Sequence, residues 1–225
     1  MKTIQFKYLT ILLIAFFALA SCTKNKVEPS KPTYLPTISL NGDELIILEE
    51  GTEYPELGAI AKEKGNPIDV TIEGDVDVTT PGVYPVYYSA VNADGYSVEA
   101  SRTVVIYPTD AIDVESDPVL GDFTLATPAR PAPVPTMSLS KISTKVYATT
   151  NIYGSNGSNA LILVPAYLYT TDGIVYNVID ASLVGGNIAS GGTATWNSVT
   201  KRLACVFQIA SVGPGTNFSR TWKQN

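Results

Sequence analysis

The side chains able to do chemistry are few. The chain has no histidine, two cysteines (Cys22 and Cys205) and two tryptophans (Trp196 and Trp222). Without histidine there is no Ser-His-Asp triad, no Cys-His pair and no His-ligated zinc. Cys205 alternates in phase with Leu203, Phe207 and Ile209. That period places it on an apolar strand face, as a small buried hydrophobe rather than a nucleophile. Glycosidic hydrolysis needs two carboxyl groups flanking the scissile bond. Beyond Asp122 the only acids are Asp172 and Asp180, each beside a turn. Asp75, Asp77 and Asp94 could together ligate a structural Ca²⁺, which prefers carboxylate oxygens, although their spacing is not that of an EF-hand. The sequence therefore points to binding, and no enzyme is expected.

The binding candidates are aromatic. Tyr167 and Tyr169 share one face of the run ALILVPAYLY at 160–169. Trp196 ends a strand before the Asn197-Ser198 turn, and Trp222 lies in the last strand. Such amphipathic rings can stack on sugar rings or on peptide side chains. Gly185-Gly186 and Gly191-Gly192 have no Gly-Lys-Ser/Thr after them and read as loop glycines, not a phosphate loop. Loops of that kind can border a site. Ser138-Leu139-Ser140-Lys141 has the Ser-x-x-Lys spacing of penicillin-recognising enzymes. It lies in an alternating strand, and the Ser-Asp-Asn and Lys-Thr-Gly partners are missing.

Residues 1–21 read as an address. Lys2 and Lys7 precede a mostly apolar run from Leu9 to Ala20, too short to span a bilayer as a helix. Leu19-Ala20-Ser21-Cys22 follows, and it resembles the bacterial lipobox. The resemblance implies a signal peptide over 1–21 and a diacylglyceryl-modified Cys22 at the mature N-terminus. Two or more acyl chains anchor firmly, at about 0.8 kcal/mol per buried CH₂. Thr23 stands where enterobacterial inner-membrane lipoproteins typically have Asp, so an outer-membrane address is expected. Residues 22–35 carry three lysines and little to bury, as a tether would.

The elements that must position the binding candidates are all strands. Over 36–107, runs such as TISL, ELIIL, IDVTI, VYPVYYSAV and SVEASRTVVIY alternate with the turns NGD, EKGNP, TTPG and NADG. This spacing predicts an all-β sandwich. Tyr84 follows the Pro81-Gly82 turn, and Val86 stands two residues on. The pair resembles the tyrosine corner of immunoglobulin-like sandwiches, with Val86 in the place of the antibody cysteine. The segment from Pro36-Thr37-Ile38-Ser39-Leu40 through Thr80-Pro81-Gly82-Val83-Tyr84 to Arg102-Thr103-Val104 is similar to bacterial Ig-like domains of the hyalin-repeat type. Residues 108–118, including DAIDVESD, read as an acidic linker. Residues 119–225 read as a second antiparallel β-domain, sandwich or barrel-like, with eight strand-forming runs from GDFTLA to NFSRTWK.

GDFTLA, SLSKISTKVYATTNIYG and GGTATWNSVTKRLACVFQI resemble the C-terminal domain of Bacteroidota lipoproteins encoded beside starch-utilisation-type importers. That resemblance implies capture of a glycan or peptide nutrient at the cell surface, with importer components as partners. A structural or adhesive surface protein is the alternative. The net charge of −6 is unevenly spread. Residues 34–107 hold three basic and thirteen acidic residues, whereas 108–225 hold seven of each. The acidity belongs to the sandwich, and no basic footprint for nucleic acid is present.

Overall fold

A computed structural model describes residues 32–130, 132–156 and 163–225. The signal segment 1–21, the lipidation candidate Cys22 and most of the tether lie outside the described residues. Strands β1 (Thr37–Leu40), β3 (Ala59–Glu63) and β4 (Asn66–Ile68) make one sheet, in the order β1-β3-β4. Strands β2 (Leu45–Glu49), β5 (Thr71–Glu73), β6 (Gly82–Val91) and β7 (Ser97–Tyr107) make the other, in the order β2-β7-β6-β5. The run IDVTI, expected as one strand, is divided between the two sheets. Its first residue ends β4, its last two belong to β5, and Val70 packs into the core between them. Pro67 has no amide to donate and sits on the edge strand β4, where none is needed.

Tyr84, Val86, Tyr88, Val104 and Ile106 fill the space between the sheets. The Tyr84 hydroxyl donates to the Thr80 carbonyl at 2.8 Å, so the corner seen in the sequence is made. Gly82 is part of it, because a Cβ there would sit 3.1 Å from the Tyr84 ring. Arg102 lies on the same face of β7 and is fully buried. Its guanidinium donates to the carbonyls of Asn41 (2.5 Å) and Asp43 (3.0 Å), to the Tyr88 hydroxyl (2.7 Å) and to Glu56 (3.1 Å). Glu56 also accepts from the Tyr88 hydroxyl, the Tyr54 hydroxyl and the Gly58 amide. One charged pair thus pins the 41–43 and 54–58 loops to the central strands.

The second domain is an eight-stranded antiparallel barrel. Its strands are β8 (Gly121–Thr127), β9 (Thr136–Lys141), β10 (Tyr147–Thr149), β11 (Ala166–Thr170), β12 (Val175–Val178), β13 (Ala189–Asn197), β14 (Arg202–Ile209) and β15 (Phe218–Gln224). Each pairs with its neighbour in sequence, and β15 returns to pair with β8, closing the wall. Closure removes the exposed sheet edges that would otherwise invite aggregation. Eight strands enclose a space that side chains can fill. Phe123, Tyr147, Tyr176, Trp196, Phe207 and Trp222 occupy it, with Cys205 among them. Strand β11 starts at Ala166, later than the run ALILVPAYLY suggests, and residues 160–162 are outside the described set.

The two domains meet across an apolar joint. Val83, Val105, Leu45, Ile47 and Tyr107 of the sandwich pack with Val146, Ile179, Ala181, Ile188, Tyr167 and Tyr169 of the barrel. The segment 108–118, expected as a linker, is packed as well. Ala111 is buried, Ile112 donates its amide to Thr170, and the Asp117 carboxylate accepts from the Tyr176 hydroxyl at 2.6 Å. Leu35 to Asn225 therefore form one compact unit.

Candidate functional site

The barrel ends differ. At one end the connections are short: 142–146, 171–174 and 198–201. At the other they are long: 128–135, 150–165, 179–188 and 210–217. Long connections on a rigid wall are where binding groups concentrate.

At that end lies a cleft of about 630 Å³, within the usual range for small-ligand sites. Asp180, Ser182, Ser190, Gly191, Gln208, Ile209, Ala210, Gly213 and Pro214 line it. Asp180 follows β12, Ser190 and Gly191 belong to β13, and Gln208 belongs to β14. A β-bulge between Ser190 and Gly192 shapes the wall. Gly192 has φ +104°, and a Cβ there would stand 2.1 Å from the Val206 carbonyl oxygen, so only glycine lets β13 lie this close to β14. The bulge lets Ser190 reach Asp180, a common role for bulges at barrel rims. The glycine pairs noted in the sequence thus fall at this cleft, at its wall and in its neighbouring 179–188 connection.

The Ser190 hydroxyl donates to Asp180 Oδ1 at 2.5 Å and accepts from the Ala181 amide at 3.0 Å. The Ser182 amide and hydroxyl also donate to the Asp180 carboxylate. Burial raises the pKa of that carboxyl, but the Ser190 and Ser182 donors outweigh it and hold the group below its ordinary value. An ionised carboxylate of low basicity is a weak general base, and no lysine lines the cleft. The arrangement is suited to accepting hydrogen bonds from a polyhydroxylated or amide-bearing ligand.

The aromatic candidates are elsewhere. Trp222 is fully buried and donates its indole N–H to the Ile152 carbonyl at 3.1 Å. Trp196 is 6% exposed and packs edge-to-face on Phe123. Both rings face the barrel interior, so neither offers a surface for stacking; the expectation is corrected by barrel closure. Tyr167 and Tyr169 lie on the outer wall and are half-buried against the domain joint. The Ca²⁺ candidates do not converge. Asp94 sits at the β6–β7 hairpin tip, whereas Asp75 and Asp77 precede the start of β6, and Asp77 already accepts from the Thr79 amide and hydroxyl. Among the described residues no three acidic side chains form a metal-binding group.

The remaining sequence signals resolve simply. Period two puts Ser138 and Lys141 on opposite faces of β9. Ser138 donates to Asp122 at 2.6 Å, and Lys141 pairs with Asp113. Cys205 is fully enclosed, and burial pushes its thiol far above the ordinary range. The cleft residues Ser190 and Gln208 were missed in the sequence because single polar residues in strands look like any solvent-facing position. The adjoining glycine pairs were the one signal that marked the place.

Residues 38–106 match the family described as bacterial surface protein, Ig-like domain. No curated protein matches the chain. Among solved structures, the chain is similar to a lipoprotein from Bacteroides thetaiotaomicron, with 22% identity, 84% of this chain and 100% of that chain covered, and a TM-score of 0.41. The N-terminal sandwich is Ig-like, similar to a domain of bacterial surface proteins, and is joined to an eight-stranded barrel.

Proposed function

We propose that the protein is a surface-exposed lipoprotein, held in the outer membrane through an acylated Cys22, that captures a nutrient glycan or peptide without turning it over. The cleft at the long-loop end of the barrel carries this reading. Asp180, Ser182, Ser190 and Gln208 give it polar groups on a rigid wall, beside apolar surface from Ile209, Ala210 and Pro214. The lipobox at 19–22 and the surface-type Ig-like match over 38–106 support the location. The Ig-like domain acts as the stalk, and importer components of the outer membrane are the expected partners. The want of a nucleophile beside a competent base in the cleft supports a binding role over an enzymatic one.

Isothermal titration of the full chain with a panel of oligosaccharides and peptides tests the capture role. Saturable binding that Gln208→Ala and Ser182→Ala weaken is the expected result. Absence of binding across the panel would leave the adhesive or structural role as the better reading. Cys22→Ala should release the protein from membranes and abolish acyl labelling; a variant that stays membrane-bound refutes the anchor.

A further inference from the structure

The same barrel end carries a second polar feature, which the cleft does not use. Arg220 projects from β15 and is only 9% exposed. Its Nε donates to the Tyr153 carbonyl at 2.6 Å and its Nη1 to the Ser219 carbonyl at 2.7 Å. Its guanidinium stacks on the Tyr153 ring, 4.2 Å from the centroid. Arg130, from the 128–135 connection, lies over the same ring at 5.4 Å. Its Nε is buried with no hydrogen-bond partner. Phe218 packs edge-to-face on Tyr153, which holds the ring in place.

Two guanidiniums therefore converge on one tyrosine, and among the described residues no carboxylate pairs with either of them. Backbone carbonyls satisfy donors on Arg220 but do not neutralise its charge. Burial and, to a smaller extent, the like charge of Arg130 both work against the Arg220 cation. Arginine nonetheless stays protonated in proteins. A buried cation without a counter-ion is costly, and the cost is relieved when an anion arrives. The planar forks of arginine match the geometry of a carboxylate.

We propose that Arg130 and Arg220 form an oxyanion subsite that takes the carboxylate of an acidic saccharide. The proposal rests on the capture reading and names its ligand class. A saccharide is one of the two ligand classes of the capture reading, and the test below sets it against the other, an acidic peptide. The two features share a barrel end but lie on opposite faces of the wall: Phe218 pairs with the inward-facing Phe207, whereas Gln208, the next residue on β14, faces outward.

The test compares oligogalacturonate with its methyl ester, which keeps the sugar and removes the charge, by titration calorimetry on the full chain. The acid form should bind at least about tenfold more tightly, the size expected for charge-assisted hydrogen bonds. Arg130→Gln, at a partly exposed loop position, should erase that preference, and Arg220→Lys should reduce it with the thermal midpoint of each variant checked alongside. Equal affinity for acid and ester, or a preference that survives Arg130→Gln, overturns the subsite. If the ester still binds and Gln208→Ala abolishes that binding, capture stands and the subsite alone fails. If neither form binds, the subsite as stated fails together with its saccharide ligand. A polyglutamate peptide that binds with the Arg130 dependence that oligogalacturonate lacks would overturn the saccharide assignment.

Discussion

The amide of Val83, at the start of the sandwich strand β6, donates to the backbone carbonyl of Asp180 at 2.7 Å. Asp180 is also the carboxylate of the barrel cleft. The sandwich thus fixes the main chain of a residue whose side chain lines the candidate site. Ala181 and Ile179, on either side of Asp180, are buried in the same joint. An Ig-like domain used only as a spacer would not need this contact.

The joint should make the two domains unfold together. Calorimetry of the chain from Leu35 onward should show one transition. Ile179→Ala removes a side chain that is 2% exposed and should cost about 2–4 kcal/mol, as other large-to-small core changes do. Two well-separated transitions in the unaltered protein would contradict a shared core.

The bulge glycines should respond unequally. Gly192→Ala forces a Cβ against the Val206 carbonyl at a positive φ. It should destabilise by about 3 kcal/mol or more and disrupt the cleft, through the combined backbone strain and clash. Gly191 has φ +66° with nothing within 4 Å of its would-be Cβ. Gly191→Ala should cost only about 1 kcal/mol, the left-handed penalty alone. Chemical denaturation of both variants measures the contrast, and equal losses would refute the role given to the bulge.

The Arg102–Glu56 network should make the protein acid-sensitive. Burial raises the pKa of the Glu56 carboxyl, but hydrogen bonds from Tyr88, Gly58 and Tyr54, with the Arg102 cation, outweigh it and hold the group below 4.5. The folded value lies under the unfolded one, so this stabilisation is present above about pH 4.5 and is lost as pH falls through the lower folded value. Glu56→Gln should flatten the acid limb of a plot of thermal midpoint against pH, while lowering stability at pH 7. An unchanged acid limb would show that other carboxylates dominate.

Removing the corner hydroxyl should have a modest, local effect. Tyr84→Phe keeps the buried ring and loses one hydrogen bond to Thr80, for about 1 kcal/mol. Urea denaturation followed by far-UV circular dichroism measures it. A loss of several kcal/mol would mean that the hydroxyl does more than close the corner.

Cys205 should be inert in the folded state. Its thiol is enclosed by barrel side chains and held in the protonated form by burial. A thiol reagent applied to the Cys22→Ala variant at pH 8 should react only on unfolding. Rapid labelling of the native protein would show that the barrel opens.

Much of this architecture was legible in the sequence, because a strand that is buried on one face records its orientation in a two-residue period. Tyr84, Val86 and Tyr88 announce the inner face of β6, and Leu203, Cys205 and Phe207 that of β14. The Pro81-Gly82 turn and the tyrosine after it determine a corner that depends on contacts only four residues apart. The missing histidine already excluded the Ser-His-Asp triad and His-ligated zinc. What a two-residue period cannot state is which element covers a second apolar face. Leu45-Ile46-Ile47-Leu48 is apolar on both sides, and only the packed barrel explains Leu45 and Ile47.

The tertiary structure alone decided where the tryptophans face and which polar residues meet. Pairing of β15 with β8 closes the barrel across nearly the whole length of the domain and turns Trp196 and Trp222 inward. Asp180 reaches Ser190 because a bulge adds one residue to β13, and Arg130 and Arg220 meet at Tyr153 because closure brings strand β15 beside the connection that follows β8. Local pattern encodes strands and tight turns, since their energetics lie within a few residues. Sites assembled from separate strands depend on closure and register, which only the folded chain sets.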